Sequence, residues 1–322
     1  MVSYEKNILE FNKQLSLRNL IIKNGRPLSK FKPDGIVLVG VGGSGLAGDI
    51  LRDLAPTINL KIPIVIWKNY GLPITNFKKP LVLFVSFSGN TEETISGFKK
   101  LIASRGAQLA LVATGGRLKK LGEDHKIPLA TFSAPDLTPR ESLGYTYYSV
   151  LKLLKFISPS IKISDLNHLN PKKLKTPGRK LASIIKGKIP LIYTDENSKH
   201  LGYIWKTNLN ETAKQLAFTN TIPEMMHNEI TSFEDKSAKN FIALFLKDPK
   251  TDPKILKKIE SAQKILKKYK IPNQTINLLG KNKEQKTWNA IILSHFTSFY
   301  LSKLKKNDPR KTRLINELKK IS

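Results

Sequence analysis

The chain has 322 residues, 40% hydrophobic and 25% charged, with 55 Lys+Arg against 25 Asp+Glu for a formal net charge of +30. That is a globular composition, long enough for about two domains, and it argues against a collagen-like or largely disordered chain. The absence of cysteine excludes disulfides, thiolate metal sites, iron–sulfur clusters and cysteine nucleophiles, and five scattered histidines without ligand spacing argue against a dedicated metal centre.

The first twenty residues are polar and interrupted by Glu5, Lys6, Glu10 and Lys13, unlike a signal peptide. No apolar run approaches the roughly 20 residues needed to span a bilayer. A cytoplasmic protein is expected, with no membrane partner. The positive charge is uneven: residues 1–150 carry 20 basic against 11 acidic side chains, and residues 151–322 carry 35 against 14. Such a balance attracts nucleic acid, anionic membranes or phosphorylated metabolites. In Asp252–Lys270, however, Ile255, Leu256, Ile259, Ala262, Ile265 and Leu266 fall on one helical face and the lysines on the other. No helix-turn-helix, zinc-finger or aromatic RNP pattern accompanies the charge. The lysines therefore read as a solvated helix face rather than a nucleic-acid surface.

In chain order, Ile36–Gly40 is a buried apolar run and reads as a strand, followed by a helix over Leu46–Leu54. Ile64–Trp67 and Leu81–Ser86 are further strands, and Thr91–Ser104 a helix. Strands at Gln108–Thr114 and Leu129–Phe132 precede a helix over Thr138–Ile157. Continuous apolar strands alternating with helices predict a parallel sheet covered on both faces. Residues 158–179, rich in Pro, Asn, Lys and Ser, read as a linker. The alternation then resumes: strand Ile189–Tyr193, helix His200–Gln215, strand Phe241–Leu246, helix Asp252–Tyr269, strand Gln274–Leu279, helix Glu284–Lys305 and a last helix Pro309–Lys320. The expected fold class is α/β, with domains at 1–157 and 180–322.

Two loops look suited to phosphate. Gly40–Asp49 (GVGGSGLAGD) follows a strand and opens a helix, so glycine freedom and unpaired helix N–H groups meet there, with the Ser44 hydroxyl beside them. A dinucleotide fingerprint can be read through Gly40, Gly42 and Gly45, but Lys68 and Asn69 follow the next strand where an acid is needed. No Lys-Ser/Thr follows the glycines, so the P-loop pattern fails too. Ser86–Thr94 (SFSGNTEET) is the second loop, with hydroxyls at Ser86, Ser88 and Thr91 around Gly89. Either alone could be ordinary helix capping. Together they fall where an open parallel sheet binds ligands.

These loops resemble the sugar-isomerase (SIS) domain, which binds phosphosugars. Further along stand PRESLGY at Pro139–Tyr145, NETAK at Asn210–Lys214, PEMMHNEI at Pro223–Ile230 and DPRKTRLINELK at Asp308–Lys319. Their order and spacing resemble the bifunctional phosphoglucose/phosphomannose isomerases of archaea and bacteria, from about residue 36 onward. The resemblance implies two SIS domains, each a parallel sheet flanked by helices, and a homodimer with an active site shared between subunits. It implies isomerisation of glucose 6-phosphate and mannose 6-phosphate to fructose 6-phosphate, with no cofactor. Gly43, Ser44, Ser86, Ser88 and Thr91 would hold the 6-phosphate. Arg140 would lie near the sugar C1–C2 region, Glu211 would be the general base, and His227 would assist ring opening, reaching across the dimer. Lys319 would also serve the ring oxygen, and Thr312 would leave room for both sugar epimers. The sequence departs from the family's usual NHNE at Met226 and from NENAK at Thr212.

The chemistry is coherent with these residue types. One buried carboxylate can carry a proton from C2 to C1 through a cis-enediolate, with burial raising its pKa toward neutrality. A fixed guanidinium stabilises the enediolate charge. An imidazole titrates near the pH at which ring opening needs a proton shuttle, and Glu229, two residues on, is placed to orient it. The rival reading is a non-catalytic phosphosugar-binding SIS regulator. That class needs a DNA-reading module, and none is seen before the first sheet. A pentose-phosphate isomerase is usually a single SIS domain, and an amidotransferase half would need a glutamine-hydrolysing partner domain.

Overall fold

The structure is a computed structural model and describes residues 3–102 and 107–321. The chain forms two compact units. Glu10–His168 make the first; residues 169–321 make the second together with residues 3–9, which contain helix α1 (Tyr4–Leu9).

The first unit holds a six-stranded sheet of β1 (Ile21–Lys23), β2 (Gly35–Val39), β3 (Ile64–Trp67), β4 (Pro80–Ser86), β5 (Gln108–Ala113) and β6 (Leu129–Thr131) in the order β1-β6-β5-β4-β2-β3. Five strands are parallel; β1 joins the edge antiparallel to β6. The intervening helices are α2 (Gly43–Leu54), α3 (Glu92–Ile102) and α4 (Gly116–Asp124), with α5 (Leu143–Ile157) following β6. Strand β2 is buried along its whole length and β4 along all but its first residue, because helices cover both faces. On one face Val37, Val39, Val82, Phe84 and Leu111 pack with Phe98 of α3 and Leu118 of α4. Strand β2 leads to β3 on one side and β4 lies on the other. The loops after β2 and β4 therefore part at the carboxyl edge, leaving the crevice typical of such sheets.

The second unit has four parallel strands, β7 (Ile189–Asp195), β8 (Phe218–Ile222), β9 (Phe241–Lys247) and β10 (Asn273–Asn277), in the order β10-β9-β7-β8. Its further helices are α6 (Lys172–Ile185), α7 (Lys199–Ala213), α8 (Pro253–Lys268), α9 (Lys283–Leu304) and α10 (Arg313–Ile321). Helix α9 is buried on nearly every side and packs against α1, α6 and α7. Its hydroxyls are bonded inside the core, as where Ser294 Oγ accepts from Asn208 Nδ2 of α7 at 2.7 Å and donates to the Ile291 carbonyl at 2.7 Å.

The two-sheet α/β architecture agrees with the sequence reading, and several boundaries differ. The stretch read as a linker is structured: residues 158–168 belong to the first unit and 169–179 to the second, with α6 starting at Lys172. Pro177 and Gly178 signalled a break, yet both lie inside that helix. Gly178 is there for close packing, since a Cβ would come within 3.1 Å of the α9 backbone at Phe296 and Thr297. Helix α5 begins at Leu143, not Thr138, because Thr138–Ser142 forms a turn in which Glu141 accepts from the Thr138 N–H and hydroxyl at 3.1 and 2.8 Å. The last helix starts at Arg313, not Pro309, with Asn316 N–H bonded to the Thr312 carbonyl at 3.1 Å. The helix read as ending at Ser104 is seen to Ile102; its last two residues lie outside the described residues. Among the described residues, no helix is long and apolar enough to cross a membrane.

Candidate functional site

At the carboxyl edge of the first sheet the two loops meet. Gly42 has φ 58° and ψ −135°, a conformation glycine alone adopts readily, and it turns the chain from β2 into α2. Gly43 opens the helix against another backbone: a Cβ there would lie 3.1 Å from the Pro139 carbonyl oxygen. Ser44 is buried, and its Oγ accepts the Phe87 N–H at 3.1 Å, which ties the first loop to the second. In the second loop Ser86 is fully buried; its Oγ accepts from Gly89 N–H at 3.0 Å and shares a hydrogen with Thr91 Oγ1 at 2.8 Å. Ser86 therefore shapes the loop. Ser88 is exposed, with its Oγ accepting the Asn90 N–H at 3.2 Å.

A third turn completes the edge, and the sequence reading passed over it. Thr114-Gly115-Gly116 follows β5 and begins α4. Thr114 Oγ1 donates to the Phe87 carbonyl at 2.6 Å, and Asn90 Oδ1 accepts the Arg117 N–H at 3.0 Å. The Gly-Gly pair directly after a strand was its available signal.

The electrostatics favour an anion. Helix α2 begins at Gly42 without a side-chain cap and without an acid in its first turn, and α4 is the same at Gly115. The first N–H groups of α2 and their partial positive charge are left for an outside acceptor, whereas in α4 the Arg117 and Leu118 N–H groups already bond Asn90 Oδ1 and the Gly89 carbonyl. In the second unit α8 and α9 are capped, Asp252 accepting from Lys254 N–H at 2.7 Å and Asn282 from Gln285 N–H at 2.9 Å, while α6 and α7 also begin without a side-chain cap. Lys68, standing where a dinucleotide site needs an acid, is ion-paired with Asp49 of α2. Arg140 is only 5% exposed and sits in the Thr138–Ser142 turn, one residue after the Pro139 backbone that packs on Gly43. The first unit thus gathers Gly43, Ser44, Ser86, Thr91 and the Arg140 turn at one edge.

The remaining expected residues lie in the second unit, at two separate places. Glu211 is half-buried in the last turn of α7. The C-terminal segment meets that turn: Lys214 Nζ donates to the Glu211 carbonyl at 2.9 Å and the Asp308 carbonyl at 2.5 Å, and Asn307 Nδ2 donates to the Ala213 carbonyl at 3.1 Å. Thr312 is four residues beyond Asp308, and Lys319 is exposed on α10. The apolar face of α10 is not covered, with Leu314 72%, Leu318 60% and Ile321 82% exposed.

His227 is exposed, in the short 3-10 turn Glu224–His227 after β8. Helix α7 runs back to the start of β8, so Glu211 lies near the amino edge of that sheet and His227 beyond its carboxyl edge. The five residues of β8 alone separate the edges by roughly 15 Å. Glu229 does not serve His227 as expected. Its Oε1 accepts the Tyr193 hydroxyl at 2.6 Å and its Oε2 accepts Asn220 Nδ2 at 2.7 Å, so it fastens the turn to β7 and β8. Burial, then the neighbouring Glu229 charge, pushes the Tyr193 phenol far above its ordinary range and keeps it a donor. Among the described residues no group of three or more His, Asp or Glu side chains is arranged to hold a metal ion.

Residues 174–321 match the family described as the bacterial phospho-glucose isomerase C-terminal SIS domain. The chain is 31% identical to the bifunctional phosphoglucose/phosphomannose isomerase of Thermoplasma acidophilum, over 88% of each chain. It is 30% identical to the protein of the same description from Caldicellulosiruptor bescii, over 89% of this chain and 88% of that one. The crystal structure of tagatose-6-phosphate ketose/aldose isomerase from Escherichia coli superposes with a TM-score of 0.67 at 12% identity, covering 95% of this chain and 94% of that one, a likeness of fold alone.

Proposed function

Because the chain belongs to the bifunctional phosphoglucose/phosphomannose isomerase family, we propose that it interconverts glucose 6-phosphate and fructose 6-phosphate, and mannose 6-phosphate and fructose 6-phosphate, through a cis-enediolate. The observation that carries the reading is the pair of joined turns at the first sheet's carboxyl edge, with the uncapped N-terminus of α2 between them. That is a cradle for a phosphate dianion. Backbone N–H groups near Gly43 and Ser44, with the hydroxyls of Ser88 and Thr91, bind the 6-phosphate, while Ser86 holds the loop in shape.

Glu211 takes the C2 proton and returns it at C1. Arg140 stabilises the enediolate charge, and being buried it needs little reorganisation to do so. His227 protonates the ring oxygen during opening, with Lys319 alongside. The opposite-edge positions of Glu211 and His227 support a homodimer in which each site takes its His227 from a second copy. Thr312 leaves room for both C2 epimers. The protein works in the cytoplasm, without a metal or redox cofactor.

The test is to incubate purified protein, with EDTA present, separately with each aldose phosphate and to assay fructose 6-phosphate, alongside Glu211→Gln. Product from both sugars is expected, and Glu211→Gln should abolish C2 proton exchange while phosphosugar binding stays within a few-fold. Product from glucose 6-phosphate alone removes the mannose assignment and the role of Thr312. Binding without product from either sugar overturns the isomerase reading in favour of a phosphosugar-binding module.

A further inference from the structure

Helix α1 opens the chain but belongs to the unit that carries Glu211. Tyr4 is buried there and touches three elements. Its ring stacks on Phe299 of α9, with centroids 5.6 Å apart and planes 12° from parallel. The Arg310 guanidinium lies over the ring at 5.8 Å from the centroid, within cation–π range. The Tyr4 hydroxyl is 3.0 Å from Oγ1 of Thr212, which is fully buried. Glu5 fixes the helix that presents Tyr4, since its Oε1 accepts from the Tyr300 hydroxyl at 2.6 Å and from Lys175 Nζ at 2.9 Å.

Thr212 is the residue after Glu211, in the last turn of α7. The final turn of a helix has carbonyls without intrahelical partners and is where fraying begins. Neighbouring residues point about 100° apart around a helix. A bond to the Thr212 side chain therefore fixes the direction in which the same turn presents Glu211. Arg310, which lies over the Tyr4 ring, begins the segment that leads to Thr312 and Lys319.

We propose that Tyr4 is a positioning residue for the proton transfer: its hydroxyl sets the turn that presents Glu211, and its ring seats Arg310 and the segment that follows. Tyr4 acts through Thr212 and Arg310 and does not touch substrate. The inference rests on the isomerase reading of Glu211.

Tyr4→Phe keeps the ring and removes only the hydroxyl; Tyr4→Leu removes the ring contacts as well. In the full-length protein, kcat and KM for glucose 6-phosphate are measured together with the fate of deuterium placed at C2. An enediolate beside a loosely held base lives longer before reprotonation, so more label is lost to solvent instead of reaching C1. For Tyr4→Phe, kcat falls about fivefold with KM within twofold, the size expected for one hydrogen bond acting on the reacting geometry, and label loss rises. Tyr4→Leu shows a larger fall of the same kind. Unchanged kcat and label partition in Tyr4→Phe overturn the proposal. So does a loss of activity that only tracks the folded fraction, with the partition unchanged. Tyr4→Phe decides the matter if Tyr4→Leu does not fold. An inactive wild type overturns the isomerase reading itself, a different result from either.

Discussion

Replacing Gly89 by alanine should dislocate the second loop, and Gly71→Ala is the control that isolates the reason. Both glycines have positive φ, 69° and 65°, and an alanine in that region costs roughly 1 kcal/mol. At Gly71 a Cβ meets nothing within 4 Å. At Gly89 it would overlap the Gly115 carbonyl oxygen and lie 2.8 Å from the Gly115 carbonyl carbon and 3.2 Å from Gly116 Cα. Backbone must retreat, and the bonds across that seam are those from Leu118 N–H to the Gly89 carbonyl at 2.8 Å and from Arg117 N–H to Asn90 Oδ1 at 3.0 Å. At about 1 kcal/mol for each bond, Gly89→Ala should lose about 3 kcal/mol against about 1 for Gly71→Ala. The retreat also moves Ser88 and Thr91. Hydrogen bonds to a charged group contribute about 1.5 to 3 kcal/mol each, so misplacing one raises KM for phosphosugar more than about tenfold. Urea unfolding and steady-state kinetics on the two variants read both effects. Equal stability losses, or KM values within twofold of one another, would refute the seam as the element that holds the second loop.

Lys214→Met removes the donor to the Glu211 and Asp308 carbonyls; amide exchange over residues 309–321 should quicken and kcat should fall several-fold, while Lys214→Arg keeps most of the protection. Both the main carbonyl bonds are solvent-exposed, so the stability loss stays near 1 kcal/mol, and unchanged exchange would count against the clamp. Glu5 gives a pH test. Burial raises its carboxyl, but hydrogen bonds from Tyr300 and Lys175 and the Lys175 charge outweigh that and hold it below its ordinary value. Its contribution is therefore complete above the unfolded value near 4.3 and is lost as pH falls through the lower folded value. Unfolding curves should show wild type losing more stability than Glu5→Gln between about pH 5 and 3, by under about 1 kcal/mol because the pair is partly solvated.

How much of this was legible beforehand depended on local signals. Strands β2 and β4 are buried on both faces, so IVLV and LVLFV declared them directly. Strand β8, FTNTI, is an edge strand with polar residues at three successive positions, and no apolar alternation marked it. Strand β1 has only three residues and is defined by pairing with β6, which a local pattern does not report. The proline and glycine of α6 carried the ordinary meaning of a break until α9 supplied a backbone for Gly178 to pack on.

The same division holds at the site. Hydroxyls and glycines after buried strands pointed to both candidate loops, because strand-to-helix turns are short-range features. The burial of Ser86 and its bond to Thr91 were not readable, since they depend on how the loop closes. Glu211 and His227 are close in sequence yet belong to opposite edges of one sheet, a separation made by the direction of α7 and β8. Tyr4 carried no signal at all, because its partner is 208 residues away.

That distance bears on how the chain assembles. The second unit is a discontinuous body with the first unit, roughly 160 residues, inserted after Leu9. Within the first unit the two ends of the insertion are already fastened together: Asn12 Nδ2 donates to the Asn167 carbonyl at 2.6 Å, and Leu166 N–H to the Leu15 carbonyl at 2.8 Å. Folding of the insert shrinks an open loop of about 160 residues to a few, worth about 3 kcal/mol of closure entropy to whatever must join across it. The first unit is then a matchmaker for the second: until it folds, α1 searches for its berth as a distant stretch of coil, and afterwards as a neighbour. Slowing the first unit alone, for instance by a cavity in its sheet core at Phe84, would delay the burial of Tyr4 in the second.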